Sequence, residues 1–122
     1  MPYKIMIVDD EKDIVFVLKI ALEKEGFATD EAYDGIQALE KIGMSKPDLI
    51  LLDIMMSKLD GHGVNLRLKE DPETAKIPVI VITGKGHLKE LLQARDELQV
   101  AAYMEKPFTV KALIEKIREI LK

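Results

Sequence analysis

Leu49-Ile50-Leu51-Leu52-Asp53 sets four apolar residues in a row immediately before a carboxylate. A run this short and apolar throughout reads as a strand covered on both faces, because a half-exposed strand would alternate with polar residues. Asp48 and Pro47 precede it and Gly43 lies just upstream, so the preceding element ends there. Working outward, similar runs recur. Lys4–Val8 reads as a first buried strand, Phe27–Ala32 as a weaker second, Pro78–Ile82 as a fourth with proline at its tolerated first position, and Val100–Met104 as a short fifth.

Between these runs the period changes to that of a helix. Ile14, Val17, Leu18, Ala21 and Leu22 follow i, i+3, i+4, i+7, i+8, and Gly26 stops that segment. Ile36, Leu39 and Ile42 follow the turn Asp34-Gly35. The spacing predicts further helices over about Val64–Glu70, closed by Asp71-Pro72, and around Leu88, Leu91, Leu92 and Leu98. Val110, Leu113, Ile114, Ile117 and Leu121 give the clearest apolar helix face in the chain. Five βα units without repeat or linker predict a single α/β domain over residues 1–122. It is a doubly wound, five-stranded parallel sheet in the order 2-1-3-4-5 with helices on both faces, the flavodoxin-like arrangement.

Composition narrows the function. Of 122 residues, 48% are hydrophobic and 33% charged, enough for a core and too apolar for a disordered tail. A net charge of −4 argues against direct nucleic-acid binding, which rests on an excess of Lys and Arg. The absence of cysteine excludes a disulfide scaffold, a thiolate metal site and a cysteine nucleophile. His62 and His87 lack partners at zinc-ligand spacing. No apolar run approaches membrane length and no basic-then-apolar leader opens the chain, so a cytoplasmic protein is expected.

In open α/β sheets ligands bind beyond the carboxyl ends of the strands, so the residue after each apolar run matters most. These residues are Asp9, Asp10 and Glu11, then Asp53, Thr83 and Lys106. Crowded carboxylates invite a cation, and an all-oxygen set suits Mg²⁺ or Mn²⁺. A carboxylate can attack phosphorus, and the three equatorial oxygens of a transferring phosphoryl group could be met by the metal, the Lys106 amine and the Thr83 hydroxyl. Each residue alone has a plainer reading. Asp9 to Asp13 could be a helix N-cap cluster, Asp53 a cap, Thr83 a strand end and Lys106 a surface lysine. The joint placement at one end of four strands is what carries the argument.

Taken together, Ile7-Val-Asp-Asp-Glu11, Pro47-Asp-Leu-Ile-Leu-Leu-Asp-Ile-Met-Met56, Leu59-Asp-Gly61, Ile77-Pro-Val-Ile-Val-Ile-Thr-Gly84 and Tyr103-Met-Glu-Lys-Pro-Phe108 resemble the receiver domain of two-component response regulators over essentially the whole chain. The resemblance implies that Asp53 accepts a phosphoryl group from a sensor histidine kinase or phosphotransfer protein. It implies Asp10 as a direct metal ligand, Asp9 as its partner through water, and the Met55 backbone carbonyl as the third protein ligand. Thr83 and Lys106 would meet phosphoryl oxygens, and Tyr103 would be the aromatic switch that turns inward as Thr83 moves. The protein would then be a phosphoacceptor switch catalysing only its own phosphorylation and dephosphorylation. It would act on an unidentified downstream protein target, as a monomer or weak phosphorylation-dependent dimer. Ser57, Gln99 and Ala102 depart from the family's usual residues, and the resemblance implies that Lys85, two past Thr83, stands where such domains tune phosphate lifetime. A degenerate receiver acting as a phosphorylation-independent interaction module is the alternative. A flavin-binding protein of similar topology would need an aromatic pair that the expected site loops lack.

Overall fold

The computed structural model describes residues 2–53, 61–84 and 100–121. The elements are β1 (Lys4–Val8), α1 (Lys12–Lys24), β2 (Ala28–Ala32), α2 (Gly35–Met44), β3 (Leu49–Asp53), α3 (Gly61–Glu70), β4 (Val79–Thr83), β5 (Ala102–Glu105) and α4 (Val110–Leu121). The helix expected around Leu88–Leu98 lies outside the described residues. So do Met55, Ser57, Lys85, His87 and Gln99.

The five strands are all parallel and run in the order β2-β1-β3-β4-β5. β3 is buried at every position, as its uniform apolar run requires. Strand alternation then divides the core. Met6, Val8, Ile50, Leu52, Val79 and Val81 point to one face and meet Ala38 and Ile42 of α2 and Val64 and Leu68 of α3. Ile5, Ile7, Leu49, Leu51, Ile80 and Ile82 point to the other and meet Val15, Leu18 and Leu22 of α1 and Leu113, Ile114 and Ile117 of α4.

Helix termini follow local chemistry. α1 ends in a Schellman turn: Gly26 takes φ 94°, and the N–H groups of Gly26 and Phe27 donate to the carbonyls of Glu23 and Leu22, both at 3.1 Å. Asp34 caps α2 by accepting from the Gln37 N–H at 2.8 Å, while Gln37 Oε1 accepts from the Tyr33 N–H at 2.7 Å. Thr109 caps α4 by accepting from the Ala112 N–H at 3.0 Å.

Two helix faces differ from the spacing read in the sequence. α1 buries Val15, Leu18 and Leu22, and leaves Val17 exposed together with Phe16 and Ile20. α2 buries Gly35, Ala38 and Ile42, and leaves Ile36 exposed. Apolar residues surround much of α1, so two adjacent stripes satisfied the helical period and the sheet selected between them. α3 also begins three residues before the expected Val64.

Candidate functional site

The carboxyl ends of β1 and β3 lie side by side, because Val8 pairs with Leu52. Asp9 continues the first strand, donating its backbone N–H to the Ala32 carbonyl at 3.1 Å, and Asp53 closes the third. One carboxylate oxygen from each of Asp9, Asp10, Glu11 and Asp53 can be chosen so that all four lie within 4.8 Å of one another. Asp9 and Asp53 are buried, whereas Asp10 and Glu11 face solvent.

Lys106 enters from the far side of the sheet, just beyond β5. Its backbone N–H donates to the Thr83 carbonyl at 2.8 Å, which fixes its place relative to β4. Its Nζ donates to Asp9 Oδ2 at 3.3 Å and lies 3.6 Å from Asp53 Oδ2 and 3.7 Å from Glu11 Oε1. Burial works against the ammonium charge, but attraction to Asp9, Asp53 and Glu11, with the Asp9 hydrogen bond, outweighs it and holds the Lys106 pKa above its ordinary value.

One ammonium cannot neutralise four carboxylates. Two buried like charges at such separations repel by roughly 3 kcal/mol at an effective dielectric near 20. The donor set is hard, oxygen-only and partly open to water, which fits Mg²⁺ or Mn²⁺ and does not fit a soft metal. The plain capping reading is not sufficient. Glu11 is the N-cap of α1 yet its side chain makes no cap bond, and Asp9, which accepts from the Glu11 N–H at 2.9 Å, also binds Lys106.

Thr83 is fully buried at the end of β4, one residue past Ile82, the pairing partner of Asp53. Its hydroxyl has no hydrogen-bond partner among the described residues. It shares strand parity with Val79 and Val81, so it approaches from the α2–α3 face, opposite the one that carries Leu51 and Asp53. Tyr103 on β5 is half-buried against the cluster of Val64, Leu68 and Val81, away from the carboxylates. The structure thus gathers Asp9, Asp10, Asp53 and Lys106 and sets Thr83 on the strand beside them.

Two contacts escaped the sequence reading. Glu11 was among the residues expected at this edge, but its direct pairing with Lys106 was not. Lys12 sits over the Tyr33 ring, 5.7 Å from its centroid, at the carboxyl end of β2. Looking one residue past β2, as for the other strands, would have found Tyr33. The second strand, Ala28-Thr-Asp-Glu-Ala32, lacks the apolar run that marks such an end.

On the side of the site away from Thr83, Asp13, Ile14, Val17, Lys106, Pro107 and Phe108 line a groove of about 400 Å³ between α1 and the start of α4. Among the described residues no helix is long and apolar enough to cross a membrane.

Comparison with known proteins agrees with this geometry. Residues 5–118 match the family model of the response regulator receiver domain. The chain is 36% identical over 119 residues to the DNA-binding dual master transcriptional regulator RpaA of Synechocystis sp., covering 98% of this chain and 49% of that protein. It is 37% identical over 122 residues to the alkaline phosphatase synthesis transcriptional regulatory protein PhoP of Bacillus subtilis, covering 100% and 50%. The chain therefore spans about half the length of the curated relatives it matches. DNA binding is stated in the name of the cyanobacterial relative and is a property of that longer protein. Among solved structures, a response regulator from Chloroflexus aurantiacus superposes with a TM-score of 0.92 at 27% identity, covering 99% of this chain and 98% of that one. The receiver domain of NtrX from Brucella abortus gives 0.87 at 32% identity, covering 96% and 97%. Sheet order, acidic cluster and sequence match all lead to one assignment: the chain belongs to the response regulator receiver domain family of two-component signal transduction.

Proposed function

We propose that Asp53 accepts a phosphoryl group from the phosphohistidine of a sensor histidine kinase or phosphotransfer protein. In that step an Asp53 carboxylate oxygen attacks phosphorus, a P–O bond forms, the P–N bond breaks with its electron pair returning to the ring nitrogen, and the imidazole, already protonated on its other nitrogen, leaves neutral. The observation that carries the reading is the buried Asp53 carboxylate held 3.6 Å from the Lys106 ammonium inside a four-carboxylate cluster. Asp10, Asp53 and Asp9, the last through water, would hold Mg²⁺ or Mn²⁺ together with the Met55 carbonyl. A bound divalent ion lowers the repulsion between Asp53 and an incoming anion and draws charge from a phosphoryl oxygen. Lys106 meets a second oxygen, and the unpartnered Thr83 hydroxyl a third.

Capture of the Thr83 hydroxyl by a phosphoryl oxygen gives the phosphorylated protein an interaction that the unmodified one lacks. That difference biases two packings of Thr83 and Tyr103, and a downstream protein target reads the resulting surface. Phe16, Val17 and Ile20 are exposed on α1, and Val17 also lines the α1–α4 groove that Lys106 borders, so the exposed surface of α1 would receive the protein donor. Residues 1–122 act as one receiver domain in the cytoplasm, as a monomer or weak phosphorylation-dependent dimer, with no direct contact to nucleic acid. The chain turns over no external substrate beyond its own phosphorylation and dephosphorylation.

The test is incubation with Mg²⁺ and acetyl phosphate, followed by intact-mass spectrometry. Wild type gains the mass of one phosphoryl group in a base-labile adduct, and Asp53→Asn does not. Failure of both, with metal present and the protein folded, favours a phosphorylation-independent interaction module.

A further inference from the structure

Glu11 is the member of the acidic cluster to which the phosphoryl-transfer reading gives no task. Three carboxylates reach the Lys106 ammonium from different depths. Asp9 at 3.3 Å and Asp53 at 3.6 Å are buried, and Glu11 at 3.7 Å stands in solvent. The backbone of Glu11 is anchored, since its carbonyl accepts the first N–H groups of α1, from Ile14 at 3.1 Å and Val15 at 3.2 Å. Its side chain makes no cap bond and points its charge at Lys106 instead.

A divalent cation changes this balance. Held by Asp10 and Asp53 and, through water, by Asp9, it would draw on the lone pairs of two of the three carboxylates that hold Lys106, and would add two positive charges near the ammonium. Glu11 is then the carboxylate whose charge remains undivided. We infer that Glu11 is a positioning residue for Lys106, keeping its ammonium at the mouth of the site while a divalent cation occupies Asp9 and Asp53. The inference rests on the metal-assisted reading above. Its consequence is that Lys106 stays within reach of a phosphoryl oxygen instead of swinging into solvent when the metal enters.

The test reads the ε-methylene of Lys106 in lysine-selective ¹³C NMR, assigned with Lys106→Arg, alongside Mg²⁺ titration by calorimetry. A held ammonium makes the two ε protons inequivalent, and a swinging one averages them. In wild type the inequivalence persists with and without saturating Mg²⁺. In Glu11→Gln it persists without Mg²⁺, where Asp9 and Asp53 suffice, and collapses when Mg²⁺ is bound. The Mg²⁺ affinity of Glu11→Gln stays within about fivefold of wild type, the scale of an exposed charge. Inequivalence that survives in Mg²⁺-bound Glu11→Gln overturns the inference, as does averaging in Mg²⁺-bound wild type. A larger loss of affinity makes Glu11 a metal ligand and overturns it too. Absence of Mg²⁺ binding to wild type is a different result and removes the metal-assisted reading itself.

Discussion

Replacing Thr83 by Val should make the unphosphorylated protein more stable and a poorer phosphoacceptor. Thr83 is fully buried, and its hydroxyl is an orphan among the described residues. A buried hydroxyl without a partner costs about 1–3 kcal/mol of desolvation. Valine keeps the β-branched shape suited to β4 and turns the hydroxyl into a methyl, whose burial is worth about 0.8 kcal/mol. Allowing for imperfect fit in a packed interior, the net gain is about 1–2 kcal/mol. At about 2.1 cal/mol/K of unfolding entropy per residue, a chain of 122 residues loses roughly 0.26 kcal/mol per degree near its midpoint. Tm should therefore rise by about 4–8 °C. Circular dichroism melting without metal or phosphodonor reads this directly, and urea unfolding should show a higher midpoint at an unchanged slope. In acetyl phosphate and Mg²⁺ the same variant lacks a donor to one phosphoryl oxygen. A hydrogen bond to a charged group is worth about 1.5–3 kcal/mol, so phosphorylation should weaken by tenfold or more. A Thr83→Val protein that melts at or below wild type refutes the orphan argument. A protein that melts higher yet phosphorylates like wild type refutes the role at the phosphoryl group.

Three further outcomes follow from the same geometry. Lys106 has a pKa raised above the ordinary 10.5, so the folded protein holds that proton more tightly than the unfolded chain. Its contribution is fully present below about pH 10.5 and is lost as pH rises through the higher folded value. Urea unfolding over that alkaline range should show a steeper decline in wild type than in Lys106→Met, and parallel declines would contradict the ion-pair geometry. Mg²⁺ at about a hundredfold its dissociation constant should stabilise the fold by roughly 2.7 kcal/mol, reversibly with EDTA, and Asp10→Asn should shrink that gain. A melting curve indifferent to Mg²⁺ speaks against metal at the cluster. Phe16, 63% exposed on α1, should tolerate Ala within about 0.5 kcal/mol of stability. Phe16→Ala should nonetheless slow transfer from a protein donor without slowing transfer from acetyl phosphate, and equal effects on both would rule out docking there.

The runs at 49–52 and 79–82 were enough, in the sequence alone, to demand a parallel sheet covered on both faces, because no half-exposed strand is apolar throughout. The residues following these runs then marked Asp9, Asp10, Glu11, Asp53, Thr83 and Lys106, since strand direction in such a sheet brings those ends to one edge. Helix phase was less legible. In α1 the apolar residues Ile14, Val15, Phe16, Val17, Leu18 and Ile20 cover so much of the circumference that period cannot choose a face. Only contact with the sheet selected Val15, Leu18 and Leu22. Glu11 as a partner of Lys106, and Lys12 over Tyr33, were beyond reach for a related reason. Composition and periodicity are local, whereas Lys106 and Asp9 are 97 residues apart in the chain. Their 3.3 Å contact exists because strand order and register place the ends of β1, β3, β4 and β5 together. Which residues could carry the chemistry was written in the chain, and how one ammonium is shared among three carboxylates was decided by tertiary packing.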